Sequence, residues 1–329
     1  MAKKKKNKPL IIVALLVLAA ILAFCGVKFW RYYYDHKVAN FDATTELYVY
    51  PGTSVEAIKD TVLAKCAPKK VASVERAFKE IDSVKPGHYT VSPSNPSIYV
   101  ARMLANGWQT PVDLVLSGTL RLQSGIAHKI SKQMLLDSID VIVAMRDSSF
   151  LAQYDFEPKN VFALFIPDTY QVYWTDSIKT VFDKQKAAYD AFWTEENKKK
   201  AAAQGLSQME VSILASIVKG ETNYEPEMPS IAGVYLNRLH KGMKLQADPT
   251  IAYCYDYTLN RILLKHLSVD SPFNTYKYMG LPPAPICVPT KAALNAVLNP
   301  DKHGYIFFCA SPEFNGTHRF AVTYAEHMK

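Results

Sequence analysis

The stretch SQMEVSILASIVKGETNYEPE, residues 207–227, decides how the chain folds. Ser207 followed three residues later by Glu210 is the pattern of a capping box, in which two side chains satisfy free amides at a helix start. The apolar run at residues 211–218 then reads as a helix buried in a core, and it finishes on Lys219, Gly220 and Glu221. Leu214, Ile217 and Val218 precede Glu221 at the spacings that share one helix face, so Glu221 projects from the buried side. A carboxyl in an apolar setting has a raised pKa and can serve as a protonated general acid near neutrality. The competing reading is a helix-terminal glutamate that caps the helix or meets a lysine. Gly220 would let a ligand approach the backbone, and Thr222 and Asn223 could orient the carboxyl. Glu225 and Glu227 flank Pro226 and look solvated.

Beyond this helix the chain stays rich in polar and aromatic groups. In PSIAGVYLNRLHKGMKLQADPTIAYCYD (229–256), Pro229 can start a helix and Gly242 can end it. Asn237 lies on that helix, and Gln246, Asp248 and Thr250 follow in a loop. SPFNTYKYMGLPPAPICVPT (271–290) is proline-rich, with Asn274 and Tyr276 at its start. Planar rings for stacking and amides for hydroxyl and acetamido groups are the composition of a sugar cleft. The alternative is that each residue forms a turn or packs locally. Candidate substrate-binding residues are therefore Asn237, Gln246, Asp248, Asn274 and Tyr276.

Upstream, Ser177 begins a run, SIKTVFDKQKAAYDAFW, whose apolar residues keep helical intervals. It predicts one long amphipathic helix that Lys198, Lys199 and Lys200 extend. ELYVYPGTSVEAIKDTVLAK (46–65) reads as a strand, a Pro-Gly turn and a helix capped by Ser54. KPGHYTVSP (85–93) is strand-like, and NPSIYVARMLANG (95–107) is a helix closed by Gly107. Another strand follows in TPVDLVLSG. The β-α-α-β-α-β alternation predicts a small α+β module over residues 43–150, joined by a linker at 36–46 to what precedes it.

What precedes it is an apolar segment. The 18 residues 10–27, LIIVALLVLAAILAFCGV, contain no charge and suffice to cross a bilayer. Lysines precede them, and Phe29, Trp30, Tyr32, Tyr33 and Tyr34 follow like an interfacial belt. The pattern predicts a spanning helix at residues 9–30, a basic cytoplasmic tail at 1–8, and the rest of the chain outside the cytoplasm. A cleaved signal peptide and a lipoprotein signal at Cys25 are the rival readings; bulky aromatics in place of a small-x-small site disfavour the first, and Phe24 disfavours the second.

Charge and motif exclude several classes. The net charge is +8, but seven of the 38 basic side chains and one of the 30 acidic ones fall in residues 1–35. The remainder is nearly balanced, which argues against a nucleic-acid partner. GxSxG, GxxxxGK and HExxH are absent, so neither a serine elbow, a phosphate loop nor a zinc site is expected, and no metal or cofactor is called for. Cys66, Cys254, Cys287 and Cys309 show no ligand spacing and read as free thiols.

LFIPDTY (164–170), LASIVKGET (214–222), IAGVYLNRLHKGMKLQADPT (231–250), SPFNTYKYMGLPPAPI (271–286) and GTHRFAVTYAEH (316–327) together resemble the endolytic murein transglycosylase, or YceG-like, family. PGTSVEAIKD (51–60) is similar to that family's LysM-like module. The chain departs from the family pattern at Ala247, Ala284, Val288 and Thr290. The resemblance implies an α+β protein with a single transmembrane helix, a small LysM-like α+β module and a C-terminal α+β catalytic domain at residues 160–329. It places the catalytic glutamate on Glu221. It implies a lyase of the plasma (inner) membrane that cleaves the MurNAc-β-1,4-GlcNAc bond of nascent peptidoglycan glycan strands, leaves 1,6-anhydro-MurNAc ends and so terminates elongation. Glycan strands, the cell membrane and peptidoglycan synthases (penicillin-binding proteins) are the implied partners. Two alternatives stay open: a muramidase-type hydrolase in which Asp248 places a water, and a non-catalytic glycan-binding scaffold.

Overall fold

The computed structural model describes residues 8–313 and 316–329. Residues 1–7 of the expected basic tail lie outside the described residues. The chain divides into two compact units, residues 1–112 with 173–175, and residues 113–172 with 176–329.

The first unit begins with helix α1 (Lys8–Lys37), which is longer than the expected 9–30. Its apolar side chains from Leu10 to Tyr33 are exposed, and it is long and apolar enough to cross a membrane. Next come β1 (Thr45–Val49), α2 (Val55–Lys65), α3 (Val71–Phe78), β2 (Gly87–Val91) and α4 (Ser97–Asn106). Strands β1 and β2 pair antiparallel with Leu47 opposite Tyr89 and Thr45 opposite Val91. Alternation along each strand sends Leu47, Val49, Tyr89 and Val91 into a core with Ile58, Val62, Val74 and Leu104. Ser54 caps α2 by accepting from the Ala57 amide at 3.1 Å, and Gly107 ends α4 at φ 74°, as expected.

Residues 36–46, expected as a linker, are instead built into this unit. Asn40 and Phe41 are fully buried, and the Asn40 amide donates to Ser97 Oγ at 2.8 Å. Asp35, at the end of α1, accepts from Arg76 Nε and Nη2, both at 2.7 Å, and from Ser73 Oγ at 2.6 Å. Lys70 lies over the Tyr34 ring at 3.7 Å. These contacts join α1 to α3 and α4 without a slack segment.

The second unit starts at β3 (Val112–Leu116) and continues through α5 (Gln123–Ser131), α6 (Ser138–Arg146), α7 (Ser148–Ala152), β4 (Asp168–Val172), α8 (Ile178–Phe192) and α9 (Glu195–Ala203). Strand β3 pairs with β4, not with β1 or β2, and α5 packs on α6. Residues 113–150 therefore pack with the C-terminal part of the chain rather than completing a module over 43–150. The single long helix expected from Ser177 is two. It breaks at Trp193, and Thr194 starts α9 by accepting from the Asn197 amide at 3.2 Å.

The core of this unit is α10 (Gln208–Glu221), against which α11 (Met228–His240), α12 (Asp248–Cys254) and α13 (Lys291–Leu298) pack. The Ser207–Glu210 capping box is present. Every residue from Val211 to Val218 is buried, so α10 is enclosed on all sides. Strands β5 (Phe307–Ala310) and β6 (His318–Ala321) form an antiparallel hairpin, and α14 (Tyr324–His327) packs on it. Glu227 is not solvated. It accepts from the His318 amide at 3.0 Å and meets His318 Nδ1 at 2.9 Å, which ties the hairpin to the segment before α11. Among the described residues the named strands form three two-stranded sheets, β1–β2, β3–β4 and β5–β6.

Candidate active site

Glu221 is the last residue of α10 and is half-buried. Leu214, Ile217 and Val218 are fully buried, as their spacing predicts. The buried hydroxyl of Tyr235 on α11 donates to Glu221 Oε1. Burial pushes the Glu221 carboxyl up to about 7; the Tyr235 hydrogen bond opposes this, the Asp248 charge adds to it, and the Arg238 charge opposes it. Burial first, and then Glu221 itself, hold the Tyr235 phenol far above its ordinary range, so it stays a donor. The residues expected to orient Glu221 do not touch it. Thr222 Oγ1 accepts from the Tyr224 amide at 2.9 Å, and Asn223 accepts from Lys219.

Gly220 has a packing role. A Cβ there would stand 2.5 Å from Pro249 Cβ and 2.9 Å from Pro249 Cγ. The missing side chain lets the start of α12 close on the end of α10. That contact carries Asp248, the first residue of α12, to the same cavity as Glu221. The cavity holds about 230 Å³ and is lined by Gly220, Glu221, Asp248, Pro249, Tyr257 and Arg121, among others. A larger one of about 510 Å³ abuts the other end of α10, but its acid, Glu210, is committed to the capping box.

Asp248 is exposed and begins a helix, not the loop expected for it. It accepts from the Tyr276 hydroxyl at 2.6 Å. The site therefore holds two tyrosine–carboxylate pairs, one buried and one open. Thr275 fixes the second pair's backbone: its Oγ1 accepts from the Ala247 amide at 3.0 Å and lies 2.9 Å from Thr250 Oγ1. Gln246 sits in the left-handed region at φ 52° and donates its amide to Thr275 O at 3.1 Å.

Two of the candidate sugar-binding residues are spent on the scaffold. Asn274 is fully buried; its Nδ2 donates to Leu267 O at 2.9 Å and Val269 O at 2.7 Å, while its Oδ1 accepts from the amides of Tyr276 and Lys277. All its hydrogen-bonding capacity goes to the loop that presents Tyr276. Asn237 Nδ2 donates to His303 O at 2.8 Å and Tyr305 O at 3.0 Å, which leaves no donor for a ligand. The structure thus brings Glu221, Asp248 and Tyr276 together, sets Gln246 beside them, and places Asn237 and Asn274 in support.

Tyr235 and Arg238 were not among the residues expected from sequence. Tyr235 stands among Ala232, Val234 and Leu236 on a buried helix, where a hydroxyl needs a partner. Arg238 is buried, and it donates from Nε to Ile306 O at 2.6 Å and from Nη1 to Leu245 O at 2.7 Å and Gln246 Oε1 at 3.4 Å. It clamps the approach to Asp248, a task visible only once the chain has folded back.

The chain is 36% identical over 154 residues to the endolytic murein transglycosylase of Bacillus subtilis, an alignment covering 47% of this chain and 41% of that protein. It is 24% identical over 336 residues to the endolytic murein transglycosylase of Streptococcus pneumoniae strain D39, covering 91% of this chain and 60% of that one. The aligned part is thus less than two thirds of either relative's length. A crystal structure of a yceG-like protein from Listeria monocytogenes superposes with a TM-score of 0.58 at 27% identity, over 87% of this chain and 98% of that one. The sequence model of the YceG-like family matches residues 47–329, which include every residue of the site above; the chain belongs to the YceG-like family.

Proposed function

We propose that this chain is an endolytic lytic transglycosylase of peptidoglycan, cleaving the MurNAc-β-1,4-GlcNAc bond with Glu221 as the one acid–base group. The observation that carries it is the state of Glu221: half-buried, titrating at about 7, and held by Tyr235 at a cavity wall. Protonated Glu221 gives its proton to the leaving glycosidic oxygen. The resulting carboxylate then takes the proton of the muramic C6 hydroxyl, whose oxygen closes on C1. One bond breaks and one forms within the sugar, no water is consumed, and Glu221 returns to its protonated form. A group titrating near neutrality suits both steps, since it gives and regains a proton at similar cost. The names of the Bacillus and Streptococcus relatives support the reading.

A second reading has its own observation. Asp248 shares the cavity with Glu221, and a glycosidase that adds water uses two flanking carboxyl groups. In that muramidase-type scheme Asp248 would place the water. Tyr276 already occupies Asp248 Oδ1, which favours a positioning role instead. Mass spectrometry of products from purified uncrosslinked strands separates the two: anhydro ends support the lyase, and ends heavier by one water support the hydrolase.

The same proposal sets α1 in the plasma membrane with its N-terminus in the cytoplasm and the residues that follow α1 outside. The exposed apolar surface of α1 supports this. A reporter fused after residue 40 is expected to be active only outside the cytoplasm. We assign a glycan-binding role to the first unit, which the β-α-α-β order of a LysM-like module supports. Penicillin-binding synthases are the proposed protein partners, since cutting nascent strands requires access to where they emerge.

A further inference from the structure

Arg121 lines the cavity beside Glu221, yet neither carboxylate pair uses it. It comes from the loop between β3 and α5, far in sequence from the other walls. Its guanidinium lies over the Tyr257 ring, 4.9 Å from the centroid. The ring is fixed in turn: the Tyr257 hydroxyl donates to Ile286 O at 2.7 Å. Asp256 and Tyr257 both occupy the left-handed region, at φ 51° and 57°. Such residues persist only where their surroundings hold them there. Arg121 is exposed, and among the described residues it makes no ion pair and no hydrogen bond. It is a cation held over an aromatic ring with its planar fork of donors unused, and that fork is the group that matches a carboxylate.

The other side of the same loop borders a second cavity of about 330 Å³. Arg121, Ala252 and Tyr257 line the first, and their chain neighbours Leu122, Tyr253 and Asp256 line the second. The second cavity carries Arg146 and Lys159. The two depressions are thus walled by neighbouring residues of the same two segments. In the second, Lys159 pairs with Glu157 at 2.8 Å, Arg146 donates from Nε to Gln123 at 3.1 Å and Asp256 shares the wall, so Arg121 is the cation left for a ligand.

We propose that Arg121 is the receptor for a carboxylate of the peptide arm borne by muramic residues, and that the second cavity receives the rest of that arm. The inference rests on the peptidoglycan reading above. The arm leaves the muramic ring at C3, close to the C1 at which Glu221 acts, so a residue placed for cleavage brings its arm to the same wall. The arm is acidic, and a free guanidinium is its complement. The site then selects strands that still carry peptides over stripped ones.

The test uses full-length protein in detergent carrying Glu221→Gln, so that binding is read without turnover. Its affinity for uncrosslinked peptide-bearing strands is compared with its affinity for the same strands stripped of peptides by an amidase. Adding Arg121→Ala is expected to lower the peptide-bearing to stripped affinity ratio by about tenfold, the lower range for a hydrogen bond to a charged group. Arg121→Lys, which keeps charge but not the fork, is expected to fall between. Misfolding would lower both affinities together, whereas loss of the carboxylate contact lowers only that for peptide-bearing strands. An unchanged ratio with the affinity for stripped strands retained therefore overturns the proposal, and Arg121→Lys is read by the same rule if Arg121→Ala loses both. Turnover of the Glu221-intact protein on each strand type is measured beside it. Absent cleavage with an arginine-dependent ratio overturns the enzymatic reading and keeps this one; cleavage with an arginine-independent ratio does the reverse.

Discussion

The hydroxyl of Tyr235, at the middle of α11, donates to the carboxyl of Glu221 at the end of α10. One buried tyrosine therefore orients the acid and moderates its pKa. The hydrogen bond favours ionisation while burial opposes it, and burial wins.

Glu221→Gln keeps the shape and can still accept from Tyr235, but it cannot pass a proton. Loss of an acid–base group costs about 10²–10⁴-fold in rate. The variant is expected to fold, to bind glycan strands, and to release almost no internal fragments when products are resolved by mass. A variant that stays active while Asp248→Asn is dead would transfer the catalytic role to Asp248.

Because Glu221 must begin protonated, kcat/KM is expected to fall as pH rises through about 7. Tyr235→Phe removes the contact that lowers the Glu221 pKa, so this descending limb moves to higher pH. Asp248→Asn removes a charge that raises it, so the limb moves to lower pH. The pH profiles of the three proteins check the order. Shifts in one common direction would mean that the acid is not Glu221.

The same raised pKa predicts a stability cost. Glu221 titrates near its ordinary value in the unfolded chain and at about 7 in the folded one, so folding favours its protonated form. Stability from this group is full below the unfolded value and is lost as pH rises to about 7. The shift corresponds to something on the order of 3 kcal/mol. Glu221→Gln is expected to melt higher than the parent at pH 8, with the gap shrinking as pH falls toward 4. Melting curves at several pH values measure it, and a gap independent of pH would contradict the buried-acid picture.

Gly220→Ala places a methyl group 2.5 Å from Pro249 Cβ. Overpacking of this kind costs about 1–3 kcal/mol. Because the start of α12 must move, Asp248 and Tyr276 leave Glu221. Activity is expected to drop by well over tenfold while most of the protein stays folded, as read by turnover beside a melting curve. Full activity would show that α12 need not sit so close.

At the other end of the chain, Arg76→Ala leaves the buried Asp35 carboxyl without its bidentate partner. Breaking a buried pair costs about 3–5 kcal/mol, and Arg76 is about one-third exposed, so a loss of roughly 2 kcal/mol is expected. The junction of α1 with α3 loosens, and limited proteolysis is expected to cut near residues 36–42, where the parent resists. Equal resistance would mean that Asn40 and Phe41 hold the junction alone.

Much of this was legible along the chain because it depends on near neighbours. The Ser207–Glu210 box, the Ser54 cap, the Gly107 and Gly242 ends and the apolar length of α1 are local patterns, and helix periodicity places Glu221 on a buried face. The family resemblance, carried by long ordered motifs, pointed to the same glutamate. What tertiary structure decided is which polar group meets which. Tyr235 reaches Glu221 because α11 folds back on α10, and Pro249 brings Asp248 there because Gly220 has no side chain. Asn237 and Asn274 carry the same amide that a sugar site would use, but carbonyls of His303, Tyr305, Leu267 and Val269 claim them first. Strand β3 likewise takes β4 as its partner across more than fifty intervening residues, which moves residues 113–150 out of the expected module. A hydrogen bond is satisfied by whichever complementary group lies within reach, and reach is set by the folded path of the chain rather than by distance along it.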